Sequence, residues 1–204
     1  MKTFHVTLAN SLVAFLINST VWFAVTFWVF LETRSVIATS VMAGVFTLTI
    51  AFSGFLLGSL VDRYPKKRVM LLSSMISLVL YALASFIFFT TPYETFADAS
   101  SVRLWIFIVL ALVGAIGGNL RAIALSTLVT ILVPEDGRDK ANGLVGTANG
   151  VAFLGASIFS GLAVGYLGMF WVLLIAVIMS LLVIAHLVTL VIPDLPKRIR
   201  HSHD

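Results

Sequence analysis

The sequence contains no cysteine and few charged residues, since Asp, Glu, Lys and Arg make up only 11% of its 204 residues. Without cysteine the chain has no disulfides and no thiolate metal sites. A soluble domain devotes about a quarter of its residues to charge, so water cannot wet the whole surface of this chain. The net charge of +4 lies in short loops rather than on one face, and we therefore expect no nucleic-acid partner.

What the sequence has in abundance is hydrophobic length, with 60% hydrophobic residues and a mean hydropathy of +1.08. A helix that spans a membrane needs about 20 apolar residues, and four runs reach that length. A fifth stretch, 141–193, is long enough for two spans, with a turn at 165–168 between them. We predict a six-helix bundle over residues 1–192, with spans at 6–31, 37–60, 69–91, 104–132, 142–165 and 169–192, and a basic tail at 193–204.

The predicted fold class is therefore all-α, in a polytopic membrane protein. Lipid offers no partner for free backbone groups, so the spans must be helices. The runs are also too long and too uniformly apolar to be the strands of a barrel. The first run is longer than the hydrophobic part of a cleaved signal peptide, and we expect it to remain as a helix.

Lysine and arginine are divided unevenly between the two sides of the predicted bundle. One side holds only Arg34 and Arg103. The other side holds ten: Lys2, Arg63, Lys66, Lys67, Arg68, Arg138, Lys140, Lys197, Arg198 and Arg200. By the positive-inside rule, both termini face the cytoplasm and the protein lies in the cell (plasma or inner) membrane.

Two spans share the pattern Phe-Ser-Gly-x-x-x-Gly. It occurs at 52–58 in the second span and at 159–165 in the fifth, which run in opposite directions. This placement favours two inverted three-helix halves, as in many secondary transporters. The alternative is coincidence, because Phe, Ser and Gly are common in membrane helices.

The segment Gly58-Ser-Leu-Val-Asp62-Arg63-Tyr-Pro65-Lys66-Lys67-Arg68 is the most specific feature of the sequence. It resembles the signature of the major facilitator superfamily, Gly-x-Leu-x-Asp-Arg-x-Gly-Arg/Lys-Arg/Lys, in the loop after the second helix. Pro65 replaces the usual glycine and stiffens the turn.

The resemblance implies one half of a twelve-helix carrier, working by alternating access without a cofactor, a bound metal or enzymatic chemistry. It assigns to Gly58, Asp62, Arg63, Lys66 and Lys67 a role in latching two halves at the cytoplasmic gate, and we expect Arg138 to pair with Asp62. The alternative is a simple positive-inside anchor, which explains the lysines but explains Gly58 and Asp62 poorly. The implied partners are the lipid bilayer, a small-molecule substrate, and a second six-helix half or another copy of this chain.

The loop at 133–143 is similar to that of the drug-efflux branch, especially its macrolide-efflux-like members, and this suggests export. Two marks of that branch differ here. Arg121 lies about two turns beyond the usual arginine of the fourth helix, and Ala156-Ser157-Ile158-Phe159-Ser160-Gly161 replaces Gly-Pro-x-x-Gly-Gly.

A few polar residues lie inside the predicted spans, where a charge costs at least about 2.5–3.5 kcal/mol at the membrane centre. Arg121 either lines the transport cavity or extends toward the lipid headgroups. Asn18 and Asn149 either contact substrate or form interhelical hydrogen bonds. For His186 we expect a neutral side chain bonded to a neighbouring helix rather than a proton carrier.

Two other classes of function are compatible with six helices. One is a non-transporting membrane protein, either a truncated remnant or a partner subunit of another carrier. The other is an intramembrane protease that pairs Ser126 with His186, although Ser126 lacks the Gly-x-Ser-Gly surroundings of such a nucleophile. His201 and His203 in the tail lack the further ligands that a metal site needs.

The predicted orientation can be tested by labelling, because a chain without cysteine has no background reactivity. In intact cells, a membrane-impermeant maleimide should label Asp98→Cys, in the external loop, and should label Asp136→Cys only after permeabilisation. The reverse pattern would contradict the assignment of the basic loops to the cytoplasm.

Overall fold

The computed structural model describes residues 2–193, except the side chain of Leu56. Eight α-helices are formed in this part of the chain: α1 (Lys2–Thr33), α2 (Val36–Arg63), α3 (Lys66–Thr90), α4 (Glu94–Ala97), α5 (Val102–Ile116), α6 (Gly118–Leu132), α7 (Arg138–Tyr166) and α8 (Met169–Thr189). A 3₁₀ turn at Glu135–Gly137 precedes α7. The tail beyond Pro193, including His201 and His203, lies outside the described residues.

Six helical segments of residues 2–193 are long and apolar enough to cross a membrane, which confirms the all-helical, six-span fold class. Segments α1, α2 and α3 are the first three spans, α5 and α6 together form the fourth, and α7 and α8 are the fifth and sixth. The helices of the first five spans begin before the predicted apolar runs, because the backbone is already helical in the polar residues that precede them. The third and sixth spans end at Thr90 and Thr189, before the predicted ends at 91 and 192. The sequence did not predict the interruption of the fourth span at Gly117.

Local sequence signals fix where the helices begin and end. The Ser35 side chain accepts a hydrogen bond from the Ala38 amide and caps the start of α2, and Ser101 does the same for α5 through the Leu104 amide. Between α7 and α8, Gly168 adopts a φ of +86°, which suits a residue without a Cβ. The turn between α7 and α8 therefore lies at 167–168, where the predicted fifth and sixth spans meet.

The helices pack in a pattern that is symmetric between the two halves of the bundle. The contact between spans one and five corresponds to the contact between four and two, and that between one and six corresponds to that between four and three. The contact between one and two corresponds to that between four and five, and that between two and three corresponds to that between five and six. Spans one and four contact each other, and so do three and six. Exchanging the first three spans for the last three therefore maps each of these principal contacts onto another.

Serines of α3 satisfy the backbone at the interruption of the fourth span. Ser73 Oγ donates to the Gly117 carbonyl oxygen at 2.7 Å, and Ser77 Oγ donates to the Gly114 carbonyl oxygen at 2.7 Å. Membrane-buried carbonyls need such partners, and small residues let the two backbones approach. The close contact of α3 with the fourth span follows from these serines and glycines.

The loop between the third and fourth spans covers an aromatic cluster. Phe96 of α4 and Phe107 of α5 each lie 5.2 Å from the Trp28 ring of α1, edge to face. At the same end, the Tyr93 hydroxyl donates to the Glu32 carboxylate. This hydrogen bond, with partial burial and the charge of Glu32, raises the pKa of Tyr93 to about 12. These contacts fix the 91–101 loop against the ends of α1 and α5.

The second and fifth spans are the least buried, with 18% and 17% of their most apolar stretches buried, against 50% for the fourth span. Several glycines on α2 and α7 have no atom within 4 Å of where a Cβ would stand: Gly44, Gly54, Gly58, Gly143, Gly146, Gly150 and Gly165. In contrast, Gly114 is tightly packed, since a Cβ there would lie 2.7 Å from Tyr81 Cε1. The bundle is thus closely packed at the fourth span and open along α2 and α7.

This difference predicts opposite effects for two matched substitutions. Tyr81 is fully buried and donates a 2.6 Å hydrogen bond to Asn18 Oδ1, so it cannot move away from a new methyl group. Gly114→Ala should lower the free energy of unfolding by about 1–3 kcal/mol, measured by denaturant unfolding in mixed micelles. Gly146→Ala is the control, and it should leave the free energy of unfolding unchanged or raise it slightly. Equal losses of stability in the two variants would refute this account of the packing.

Candidate functional site

A cavity of about 180 Å³ lies between α1, α2, α7 and the α5–α6 span. Its apolar wall contains a stacked pair, in which the Trp22 and Phe46 rings are parallel within 10° at 3.8 Å between centroids. Its polar residues are Ser11, Asn18, Ser19, Asn119, Arg121 and Asn149. A site with an aromatic wall and a few converging polar groups is typical of a small-molecule pocket.

Arg121 projects from α6 into the interior of the bundle and lines this cavity, with only 3% of its surface exposed. Nη1 donates to Asn10 Oδ1 at 2.6 Å, and Nη2 donates to Ser74 Oγ and, at 3.4 Å, to the Met70 carbonyl oxygen. All of these partners are neutral. The guanidinium therefore does not extend to the headgroups, and it joins α6 to α1 and α3.

Asn10 connects this charge to the sixth span. While its Oδ1 accepts from Arg121, its Nδ2 donates to the Val183 carbonyl oxygen at 3.1 Å and lies 2.9 Å from His186 Nδ1. Nδ1 accepts this bond only when it carries no proton. His186 is thus bonded to a neighbouring helix, as expected, and one asparagine links α1, α6 and α8.

The asparagines that line the cavity come from three different helices. Asn18 accepts a hydrogen bond from Tyr81 of α3 and packs against Gly118, where a Cβ would lie 2.3 Å from its Nδ2. Asn119 Nδ2 donates to Ser53 Oγ of α2 at 3.2 Å. Asn149, on α7, is half-buried and lines the cavity. Asn18 thus lines the cavity and also forms an interhelical hydrogen bond.

Basic residues at the starts of α3 and α7 form caps on the ends of other helices. Lys66 is 6% exposed, and its Nζ donates to the Val61 carbonyl oxygen near the end of α2. Lys67 Nζ donates to the Val188 and Leu190 carbonyl oxygens at the end of α8, at 2.8 and 2.6 Å. Arg138 donates to the Thr130 carbonyl oxygen at 3.0 Å, at the end of α6. Each cation therefore stabilises carbonyls that the last turn of a helix leaves without partners.

The remaining gate residues lie at the surface. Asp62 and Arg63 are exposed at the end of α2, and Gly58 is half-buried one turn before them. The two hydrogen bonds of Arg138, to the Thr130 and Val133 carbonyl oxygens, do not involve Asp62. The predicted Asp62–Arg138 pair is thus not formed in this conformation.

Ser126 and His186 do not form a catalytic pair. Ser126 Oγ is exposed and donates to the Ile123 carbonyl oxygen of its own helix at 2.7 Å, while His186 Nδ1 bonds to Asn10. A nucleophilic serine requires a base within hydrogen-bond reach. The protease hypothesis therefore has no support in the site.

Sequence reasoning missed Ser11, Ser74 and Asn119 as parts of the site. Serine is too common in membrane helices to mark a position by itself. The helical spacing of Ser73 and Ser77 was a usable signal that α3 turns a polar face toward the fourth span, where these hydroxyls donate to glycine carbonyl oxygens. The partners of Arg121 could not be read from spacing, because they lie on other helices.

The fold and the site define a polytopic helical membrane protein with an amphipathic cavity among its spans. The family model of the Major Facilitator Superfamily matches residues 7–204, and the chain belongs to that superfamily of membrane transporters. Searches among curated proteins and among solved structures each found no match. The protein is a transporter-family member and not an enzyme, while the family match resolves neither the branch nor the substrate.

Proposed function

We propose that the chain is the N-terminal half of a secondary transporter that exports small amphipathic molecules by alternating access. The observation that carries this proposal is the cavity itself, which combines the Trp22–Phe46 stack with half-buried amide groups and the buried guanidinium of Arg121. Such a lining can hold a molecule with an apolar body and a polar head. Rocking of two halves about this site would expose it to each side of the membrane in turn.

The second half of the transporter is proposed to dock on α2 and α7. These spans are the least buried, and they carry the glycines that have open space beside them. Helices approach closely where small residues face each other. The two-fold pattern of helix contacts also supports an inverted three-plus-three repeat. The proposed occupant of this face is a second six-helix bundle of the same superfamily.

The gate motif is proposed to divide its work between two groups of residues. Lys66, Lys67 and Arg138 hold the ends of α2, α8 and α6 by capping their carbonyls. Gly58, Asp62 and Arg63, at the end of α2, are proposed to contact the second half when the cytoplasmic gate closes. The pair of Asp62 and Arg138 is not formed in this conformation, and it is proposed to belong to another stage of the transport cycle. The loops after α2 and α6 and both termini are proposed to lie in the cytoplasm, in line with the positive-inside rule.

Export can be tested by comparing whole culture media, even though the substrate is unidentified. In the source cells, the chromosomal copy is replaced by the wild type, by Asn149→Trp, which fills the cavity, or by Val79→Trp, which adds the same bulk on the exposed surface of α3. Mass spectrometry of the medium should find at least one compound enriched by the wild type and Val79→Trp and returned to the deletion-strain level by Asn149→Trp.

Two outcomes would contradict the proposal. Compounds depleted from the medium by the wild type would indicate uptake instead of export. Media that do not differ between the wild type and a deletion strain would favour a non-transporting membrane protein.

A further inference from the structure

The charge on Arg121 has no carboxylate partner among the residues that the structure describes. The nine Asp and Glu residues of the sequence all lie in the loops, at the ends of the spans or in the tail. The Arg121 side chain is 3% exposed, and its partners in the described structure are an amide, a hydroxyl and a carbonyl. A buried cation without a counter-ion is strongly unfavourable in lipid. A single negative charge near the guanidinium would therefore stabilise it beyond what these neutral acceptors supply.

In the described part of the chain, two buried polar atoms of cavity-lining residues lack a hydrogen-bond partner. They are Arg121 Nε and Ser11 Oγ, and both residues line the cavity. A third such atom, Thr7 Oγ1, belongs to a residue that does not line it. Arg121 Nε can only donate, and a serine hydroxyl donates readily. An ionised carboxylate, which only accepts hydrogen bonds and can accept several, is complementary to this pair.

The rest of the cavity limits the size and shape of such an anion. Its volume of about 180 Å³ is close to the roughly 150 Å³ of an apolar cavity that holds benzene. The rings of Trp22, Phe46 and Phe153 supply an apolar wall. A body of about one aromatic ring therefore fits beside the charged end.

We infer that the cavity binds a small organic monoanion, in which a carboxylate takes the free donors of Arg121 and Ser11 and a single aromatic or branched apolar group contacts Trp22 and Phe46. This inference rests on the proposed transport function and adds the chemical class of the substrate. Arg121 is then a substrate-binding residue, while Asn10 and Ser74 hold its guanidinium in place.

The test uses the full chain in lipid nanodiscs and two matched probes, phenylacetate and the neutral phenylacetamide, with Kd values measured by saturation-transfer difference NMR. The wild type should bind phenylacetate roughly 10- to 100-fold more tightly, as expected for hydrogen bonds to a charged group. Arg121→Gln should remove this preference and leave the affinity for phenylacetamide unchanged. Ser11→Ala should weaken phenylacetate binding several-fold, and Ser126→Ala, exposed on the outer side of α6, should change neither Kd.

The possible outcomes separate this inference from the function on which it rests. Equal affinity for the two probes, or a preference that survives Arg121→Gln, would overturn the inference alone. Failure of both probes to bind would also overturn the inference, while the proposed export would still be decided by the comparison of culture media. If Arg121→Gln does not fold, Arg121→Lys and Ser11→Ala decide the matter, since each must reduce the preference for the carboxylate.

A carboxylate of the second half is the other possible source of the negative charge. The same probe pair is therefore measured in membrane vesicles from source cells enriched in the protein, where a second half is present. The inference requires the preference for phenylacetate to persist there. Its loss would assign the charge to the partner's carboxylate and overturn the inference.

Discussion

A buried guanidinium whose hydrogen-bond partners in the described structure are all neutral is the constraint on which the interior of this protein depends. Arg121 can remain buried only because α1 and α3 supply oxygen acceptors to it. Asn10 also binds α8, through Val183 and His186. Four of the six spans are thereby joined at one polar centre, in an environment where the hydrophobic effect does not drive helices together.

The contrast between closed and open glycines follows from the same organisation. Around the polar centre, the fourth span lies close to α1 and α3 because Gly114, Gly117 and Gly118 have no side chain. A Cβ at any of these glycines would collide with a side chain of α1 or α3. On α2 and α7, equally small residues face open space. Small residues thus serve tight packing inside this bundle, and on its open face they leave room for a second bundle to approach.

The number and class of the spans were predictable from the sequence, because lipid permits one solution for long apolar runs. The gate motif was also found by its pattern, yet the bonds of Lys66 and Lys67 were not foreseen. Both residues cap helix ends in this conformation, and a charge pattern does not distinguish a cap from a latch. For Arg121 the sequence left two interpretations open, since its neighbours Asn10 and Ser74 are brought together only by the tertiary fold. The interruption at Gly117 was missed because glycine is tolerated within a membrane helix.

The most direct measurement of the central claim is a double-mutant cycle of Asn10→Ala and Arg121→Gln, read as free energies of unfolding in mixed micelles. If Asn10 holds the buried charge, the two substitutions should be coupled by about 1 kcal/mol or more, in the range found for residues of one hydrogen-bond network. Effects that add within about 0.5 kcal/mol, as for independent sites, would show that the bundle does not depend on this interaction.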